Sequence, residues 1–240
     1  MGTIIIQDYT TKEPLQMIGK EAGCCWNADT TDSMKNLKRG IECVLSEHGR
    51  TWEFPQVYME IKDYSARVIR EFYTHIGGDP SRLQSSTRYI DYEKGFDYVI
   101  PSTIKTNEEA IKIYQSTMDI IRIGMQKLEQ LEIPREDCAM LLPLGMNTEV
   151  VCRTNFRNLV DMSHQRMCTR AYWEYRQLFK NISEALSAYS DEWKWLVEEC
   201  FKPKCELVGY CKEKKSCGRI PKQNNKSVED VLTKLFSKTN

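Results

Sequence analysis

The chain has 240 residues, 41% hydrophobic and 28% charged, enough apolar material for one large domain or one domain with a small appendage. Lys plus Arg and Asp plus Glu both number 34, so no global basic field exists to hold nucleic acid or an anionic membrane. No run of 18 apolar residues occurs, and the start, MGTIIIQDYT, lacks the charged and long apolar stretches of a secretion signal; a cytoplasmic protein is the expectation.

Residues 3–9 (TIIIQDY) read as a short buried strand. Ser33 is placed to cap a helix reaching about Ser46, with Met34, Leu37, Ile41, Val44 and Leu45 on its apolar face and Gly49 beyond its end. Residues 55–64 alternate Val57, Met59 and Ile61 with Tyr58, Glu60 and Lys62, the pattern of a half-buried strand. Helical spacing returns over 65–75 through Val68, Ile69, Phe72 and Tyr73. A polar loop follows at 77–89, and 96–101 (FDYVIP) is extended and stopped by Pro101. Thr106 with Glu109 spells a capping box. It opens a helix in which Ala110, Tyr114, Met118, Ile121, Met125 and Leu128 recur every three or four residues.

Residues 139–154 hold a short apolar strand among Pro143 and Gly145. A long amphipathic helix is predicted from about Asn155 to Tyr189, then an aromatic one (DEWKWLVEECF) and a short terminal helix from about Ser227. Without a regular strand–helix–strand rhythm the order predicts an α+β fold, with a main unit over 1–199 and a cysteine-rich basic tail over 200–240.

Two segments carry chemistry. GGDPSRLQSSTRY (77–89) combines a glycine pair with Ser81, Ser85, Ser86, Thr87, Arg82 and Arg88. Freed backbone N–H groups, hydroxyls and guanidiniums together suit phosphate oxygens. The same residues also fit a polar surface loop with satisfied hydroxyls, and no GxxxxGK[ST] or GxGxxG signature is present. Residues 153–176 place arginines at 153, 157, 166, 170 and 176. On one ideal helix Arg157 and Asp161 share a stripe, while Arg166 and Arg170 share another on roughly the opposite side. Two basic stripes beside an apolar seam suggest a helix between two anionic ligand sites or two subunits.

Of ten cysteines, Cys24, Cys25, Cys43, Cys138, Cys152 and Cys168 read as reduced core residues. Cys200, Cys205, Cys211 and Cys217 are spaced x4, x5 and x5, unlike the CxxC…CxxC of a zinc ribbon, so no metal site is assigned. The stretch 202–226 has eight basic and two acidic residues.

From about residue 20 to 195 the chain resembles the flavin-dependent thymidylate synthases. The most specific matches are SSTRY (85–89), like the family's S-x-R-Y, and LLPLGMNTEVVCRTNFRNLVDMSHQRMCTRAYWEYR (141–176), like its L-P-L stretch and Asn-x-Arg…Arg…W-E helix. SEHGRTWEF (46–54) and REFYTH (70–75) are similar to two further family segments. Departures are Thr74-His75-Ile76 for an Arg-His-Arg triplet, Glu71 for a Gln, Gln84 for a Glu and Ala139 for an Arg.

The resemblance implies a central, mostly antiparallel sheet flanked by long helices, with 1–199 the catalytic unit. It implies reductive methylation of dUMP to dTMP with methylenetetrahydrofolate and NADPH through FAD, without a cysteine nucleophile from the protein. By match to the family, Arg166 is catalytic, stabilising charge on the pyrimidine, and dUMP is held by Glu71, Gln84, Ser86, Thr87, Arg88 and Arg166. The implied FAD residues are Glu53, His75, Asn155, Arg157, Asp161 and Arg170, with Arg82 as a replacement for the lost triplet arginines. A homotetramer with sites shared between subunits is implied, with no nucleic-acid or membrane partner. The competing readings are a non-enzymatic nucleotide- or nucleic-acid-binding module and a flavin-binding relative acting on another pyrimidine. Zero net charge and the lack of an RRM, KH or zinc-finger pattern count against a nucleic-acid module.

Overall fold

The computed structural model describes residues 2–92, 94–223 and 231–232. In chain order its elements are β1 (Thr3–Ile6), α1 (Pro14–Gly23), α2 (Ser33–Leu45), β2 (Gln56–Ser65), α3 (Ala66–Phe72), β3 (Ser81–Gln84), α4 (Ser102–Lys105), α5 (Glu108–Gln130), α6 (Arg135–Cys138), β4 (Asn147–Asn155), α7 (Phe156–Arg166), α8 (Trp173–Tyr189), α9 (Asp191–Cys200) and α10 (Lys204–Val208). The four strands form one sheet in the order β1-β2-β4-β3, every pairing antiparallel. The α+β class and the antiparallel sheet with long helices are therefore as the sequence predicts. The expected terminal helix from Ser227 falls, apart from residues 231–232, outside the described residues.

β2 is the strand whose alternation the sequence displays most clearly, because it has a neighbour on each edge and buries one face. Val57, Met59 and Ile61 are fully buried, pointing at α8 and α9 through a core that also takes Phe72, Phe156, Phe179 and Trp193. Asp63 interrupts this strand: it has φ +60, and the pairing register with β4 shifts between Ile61 and Tyr64. Phe201 stacks on Phe156 with ring centroids 6.3 Å apart, so the main core extends to Phe201. A second, smaller core of Tyr92, Phe96, Met118, Met125 and Met146 lies under α5.

Several elements differ from the sequence expectation. β1 is an edge strand of alternating exposed and half-buried residues, and it ends at Ile6. The Glu13 side chain does not cap helix α1; the Leu15 and Gln16 N–H groups donate instead to the distant Glu192 carboxylate, at 2.7 and 3.3 Å, and the local sequence signal is Pro14 at the first helical positions. Helix α1 packs on α2 so closely that a Cβ on Gly19 would lie 1.8 Å from the Asn36 carbonyl oxygen, and one on Gly40 would lie 1.9 Å from that of Leu15. This crossing turns Asn36, Gly40, Cys43 and Val44 inward, leaving Met34 and Leu45 exposed. Asp32, not Ser33, caps α2 by accepting the Lys35 N–H at 3.0 Å. Asn107 caps α5 by accepting from Glu109 and Ala110, so Thr106 is not the cap and the capping-box reading is corrected.

The predicted helix from Asn155 to Tyr189 is two helices. α7 stops at Arg166, a turn closed by the Ala171 N–H and the Cys168 carbonyl follows, and α8 starts at Trp173. Arg170 thus lies in the loop, and the picture of two stripes on one helix fails for it. Among the cysteines read as core, Cys43, Cys138 and Cys152 are buried, whereas Cys24 and Cys25 are exposed on a 3-10 turn past the buried face of α1, and Cys168 is half-buried in the loop.

Candidate active site

The polar loop at 77–89 is more structured than its composition suggests. Ser81–Gln84 pairs with β4 as strand β3, Arg82 opposite Cys152. The glycine pair serves close approach: Gly78 has φ +69, and a Cβ there would lie 1.9 Å from the Asn155 Nδ2. Asp79 also has positive φ, and its carbonyl accepts from Arg153 at 2.8 Å. Gly77 and Gly78 therefore let the chain lie against the start of α7, and a simple anion cradle at the glycines is not what they build.

Arg82 turns inward. Its guanidinium lies over the Phe72 and Tyr73 rings at 4.8 and 5.2 Å, and its terminal nitrogens donate to the Tyr73 and His75 carbonyls. That brace holds His75 where α3 ends. His75 is buried, and its Nε2 accepts from Arg166 Nε at 3.0 Å. An acceptor Nε2 carries no proton, so the ring proton sits on Nδ1. Burial, then the positive charges of Arg166 and Arg82, push the His75 pKa down to about 4, and the ring stays neutral near pH 7.

Arg166 is the centre of this cluster. It is the last residue of α7, where the helix dipole favours a cation. Besides His75 it donates to Glu71 Oε2 at 3.1 Å, and its guanidinium lies 4.4 Å from the centre of the Tyr175 ring. Glu71, His75, Arg82 and Arg166, expected in the site, are therefore brought together. Tyr175 was not expected. It is fully buried with its hydroxyl unpartnered, and burial raises its pKa so that the hydroxyl keeps its proton. Its position nine residues after Arg166 gives no helical signal because the helix breaks between them. Glu174 was also missed as a structural group. Buried, it accepts from the Ser65 N–H at 2.8 Å and hydroxyl at 2.6 Å, fixing the start of α3 and so the far end of the same cluster.

The remaining expected residues form two other groups. Beyond β3, Ser86 opens a turn in which its hydroxyl accepts from the Arg88 N–H at 3.3 Å. Thr87 and Arg88 are exposed, Arg88 paired with Glu136 at 2.7 Å, while Gln84 donates to Thr148 at 3.2 Å. At the other end of β4, Arg157 pairs with Glu53 at 2.8 Å, both half-exposed, and exposed Asp161 lies one turn on. Asn155 is buried as the cap of α7, accepting from Asn158 at 2.9 Å. Arg170 pairs with Glu213 of the tail at 3.0 Å. Because Ser85 bonds to Glu149 while Asn155 ends β4, the two groups stand at opposite ends of the strand, about 20 Å apart at the usual rise per residue.

The site of this α+β protein is thus a half-buried arginine fixed by a neutral and an acidic partner, with outlying guanidiniums held in exposed ion pairs. Residues 6–189 match the family model for thymidylate synthase complementing protein, and the chain belongs to this family, that of the flavin-dependent thymidylate synthases. It is 30% identical over 236 residues to the flavin-dependent thymidylate synthase of Nitratidesulfovibrio vulgaris, covering 88% of this chain and 92% of that one. To the enzyme of the same name from Pyrococcus horikoshii it is 32% identical over 140 residues, 56% of each chain.

Among solved structures, the flavin-dependent thymidylate synthase of Helicobacter pylori complexed with FAD and dUMP matches with a TM-score of 0.65 and 21% identity, over 83% of this chain and 100% of that one. A UMP/dUMP methylase from Streptomyces cacaoi, bound with 5-Br dUMP, matches with a TM-score of 0.68 and 16% identity, over 83% and 96%. At these identities the two show a shared fold.

Proposed function

We propose that the protein makes dTMP from dUMP by reductive methylation, with methylenetetrahydrofolate as one-carbon donor and NADPH as reductant through FAD. Family membership supports the reaction class, and the fixed Arg166 is the observation that carries the reading. Methyl transfer to C5 of a uracil needs electron density there, so negative charge must be stabilised on the ring's carbonyl oxygens or N3. A cation held by Glu71 and His75 over Tyr175 meets that charge without reorganising. Because His75 stays neutral, it orients Arg166 without repelling it.

Ser86, the Thr87 backbone and Arg88 supply hydroxyl, N–H and guanidinium donors for the dUMP phosphate and sugar, with Gln84 at the end of β3 and Glu71 on Arg166 as the further dUMP residues. The pairing of Arg88 with exposed Glu136 is easily exchanged for a phosphate, since water screens the ion pair. The same reasoning fits Arg157 and its half-exposed partner Glu53 to the pyrophosphate of FAD, with Asp161, Arg170, His75 and Asn155 along that end and Arg82 acting through its brace on His75. When bound, the flavin supplies the hydride chemistry. No protein thiol is asked to act as nucleophile.

The wide spacing along β4 between Ser86, Thr87 and Arg88 at one end and Glu53 and Arg157 at the other supports sites completed by a second subunit, in a homotetramer. The described residues contain no helix long and apolar enough to cross a membrane, and a cytoplasmic location goes with the reaction. The test is the visible spectrum of purified protein with FAD, then NADPH oxidation with and without dUMP. Flavin uptake with dUMP-dependent turnover is the expected result, and Arg166→Ala should lower single-turnover methylation by about 100-fold or more with flavin content kept. Absence of flavin uptake would overturn the reading. Turnover with UMP in place of dUMP would shift it to another pyrimidine, an activity named for the Streptomyces cacaoi methylase.

A further inference from the structure

The loop between α7 and α8 and the tail folded over it enclose a cavity of about 380 Å³, within the range of roughly 300–1,000 Å³ in which clefts take small molecules. Its charge is one-sided. Arg166, Arg170, Lys204, Lys212 and Lys215 line it, against Glu213 as the one acid. The whole chain balances 34 basic with 34 acidic residues, so this excess is local, and low-dielectric walls focus such a field into the space between them.

The surroundings of these cations point to a ligand. Lys204 and Lys215 enter no ion pair among the described residues. Burial, and in lesser part the nearby Lys204, push the His164 pKa down, so that ring adds no charge near pH 7. The Lys212 Nζ lies 5.3 Å from the centre of the Tyr210 ring. Arg170 is held by Glu213 at 3.0 Å, with about half of each side chain exposed. Water screens such a pair, so an incoming anion can displace Glu213 at little cost. Ala171, Val208 and Tyr210 add apolar lining, which suits a molecule with a ring or chain next to its anionic end.

The position is as informative as the charge. Arg166 and Arg170 belong to the sets proposed above for dUMP and FAD, whereas Ser86, Arg88, Glu53 and Arg157 are not among the lining residues. The cavity therefore adjoins the proposed chemistry without being the phosphate end of either set. The tail also lies beyond residues 6–189, which match the family model, so its lysines are no part of the family pattern.

We propose that this cavity is an oxyanion pocket, in which Lys204, Lys212, Lys215 and Arg170 hold the phosphate or carboxylate end of a further substrate beside Arg166. The identity of that substrate rests on the synthase reading, which offers two molecules with such an end: NADPH, through its phosphates, and methylenetetrahydrofolate, through its glutamate carboxylates. Lysine ammonium groups suit either, as point charges that impose no bidentate geometry. Binding exchanges one anion for another at Arg170, with no covalent bond made or broken.

The probe is tripolyphosphate, titrated calorimetrically into the full chain at low salt without flavin or dUMP. Lys204→Gln/Lys212→Gln/Lys215→Gln should bind it about 10-fold or more weakly than wild type. Lys12→Gln/Lys38→Gln/Lys180→Gln, which removes equal charge elsewhere, should bind as wild type does. Flavin-loaded enzyme then separates the sources. A KM for NADPH raised about 10-fold or more in the first variant, with kcat moved far less, assigns the pocket to the phosphates; the same rise for methylenetetrahydrofolate assigns it to the carboxylates. Competition needs no variant: tripolyphosphate should compete with whichever substrate shows the rise. The proposal is overturned by equal tripolyphosphate affinity in wild type and both variants, by competition with dUMP alone, or by unchanged KM values for both substrates, with or without loss of flavin. A wild-type protein that takes up no flavin and oxidises no NADPH sinks the synthase reading instead, while the tripolyphosphate titration still reads the pocket.

Discussion

His75 shows how one side chain can tie chemistry to stability. With its pKa lowered from 6.5 to about 4 by burial and two neighbouring cations, the fold favours the neutral ring. Its contribution is therefore complete above the unfolded value and lost as pH falls from 6.5 towards 4, on the order of 3 kcal/mol in all. Urea unfolding near pH 7 and near pH 4 should show that loss in the wild-type protein and not in His75→Gln. An equal loss in both would place the effect on other groups. Gly78→Ala should destabilise by about 2 kcal/mol or more, since it adds a strained φ to a collision with Asn155; thermal melting reads it directly. The residue types of the site were legible in the sequence, but their directions were not. Arg82 reads as a phosphate ligand until the carbonyls of Tyr73 and His75 are seen to take its donors. The glycine pair reads as an anion cradle until Asn155, 77 positions away from Gly78, is seen to need the space.

At the scale of elements, two caps separate pattern from geometry. Asn107→Ala should cost about 1 kcal/mol in chemical denaturation while Thr106→Ala costs little, because it is the Asn107 oxygen that takes the Glu109 and Ala110 N–H groups. Gly40→Ala should cost about 3 kcal/mol through the α1–α2 crossing, a backbone-to-backbone contact that cannot relax by moving a side chain. Sequence periodicity succeeded where one face was buried throughout, as in β2. It failed at 155–189, since both halves keep helical spacing and the break at Met167–Tyr172 contains neither Gly nor Pro. It failed again in α2, where the face closest to the neighbouring helix is marked by glycine and asparagine instead of large apolar residues.

At the scale of the whole molecule, the outer side of α5 exposes Ile113, Ile120 and Ile123, and the segment after α6 exposes Met140 and Leu144. Apolar surface of this kind marks an interaction face, which agrees with the proposed homotetramer. Ile120→Asp should shift the mass measured by light scattering towards smaller species and lower turnover with it, while circular dichroism stays that of the wild type. Turnover unchanged in a smaller species would show that one chain holds a complete site.

The pairing of Met59 with Cys152 also governs the order in which the molecule comes together. The two central strands are neighbours in the sheet but 93 positions apart in the chain, and closing a loop of that length costs about 4 kcal/mol of entropy before any contact rewards it. The α1–α2 pair, separated by a short turn, has no such barrier. Local helices should therefore dock early in refolding, the sheet should close late, and the ends of β4, where the proposed ligand groups stand, should be the last places in the chain to acquire their shape.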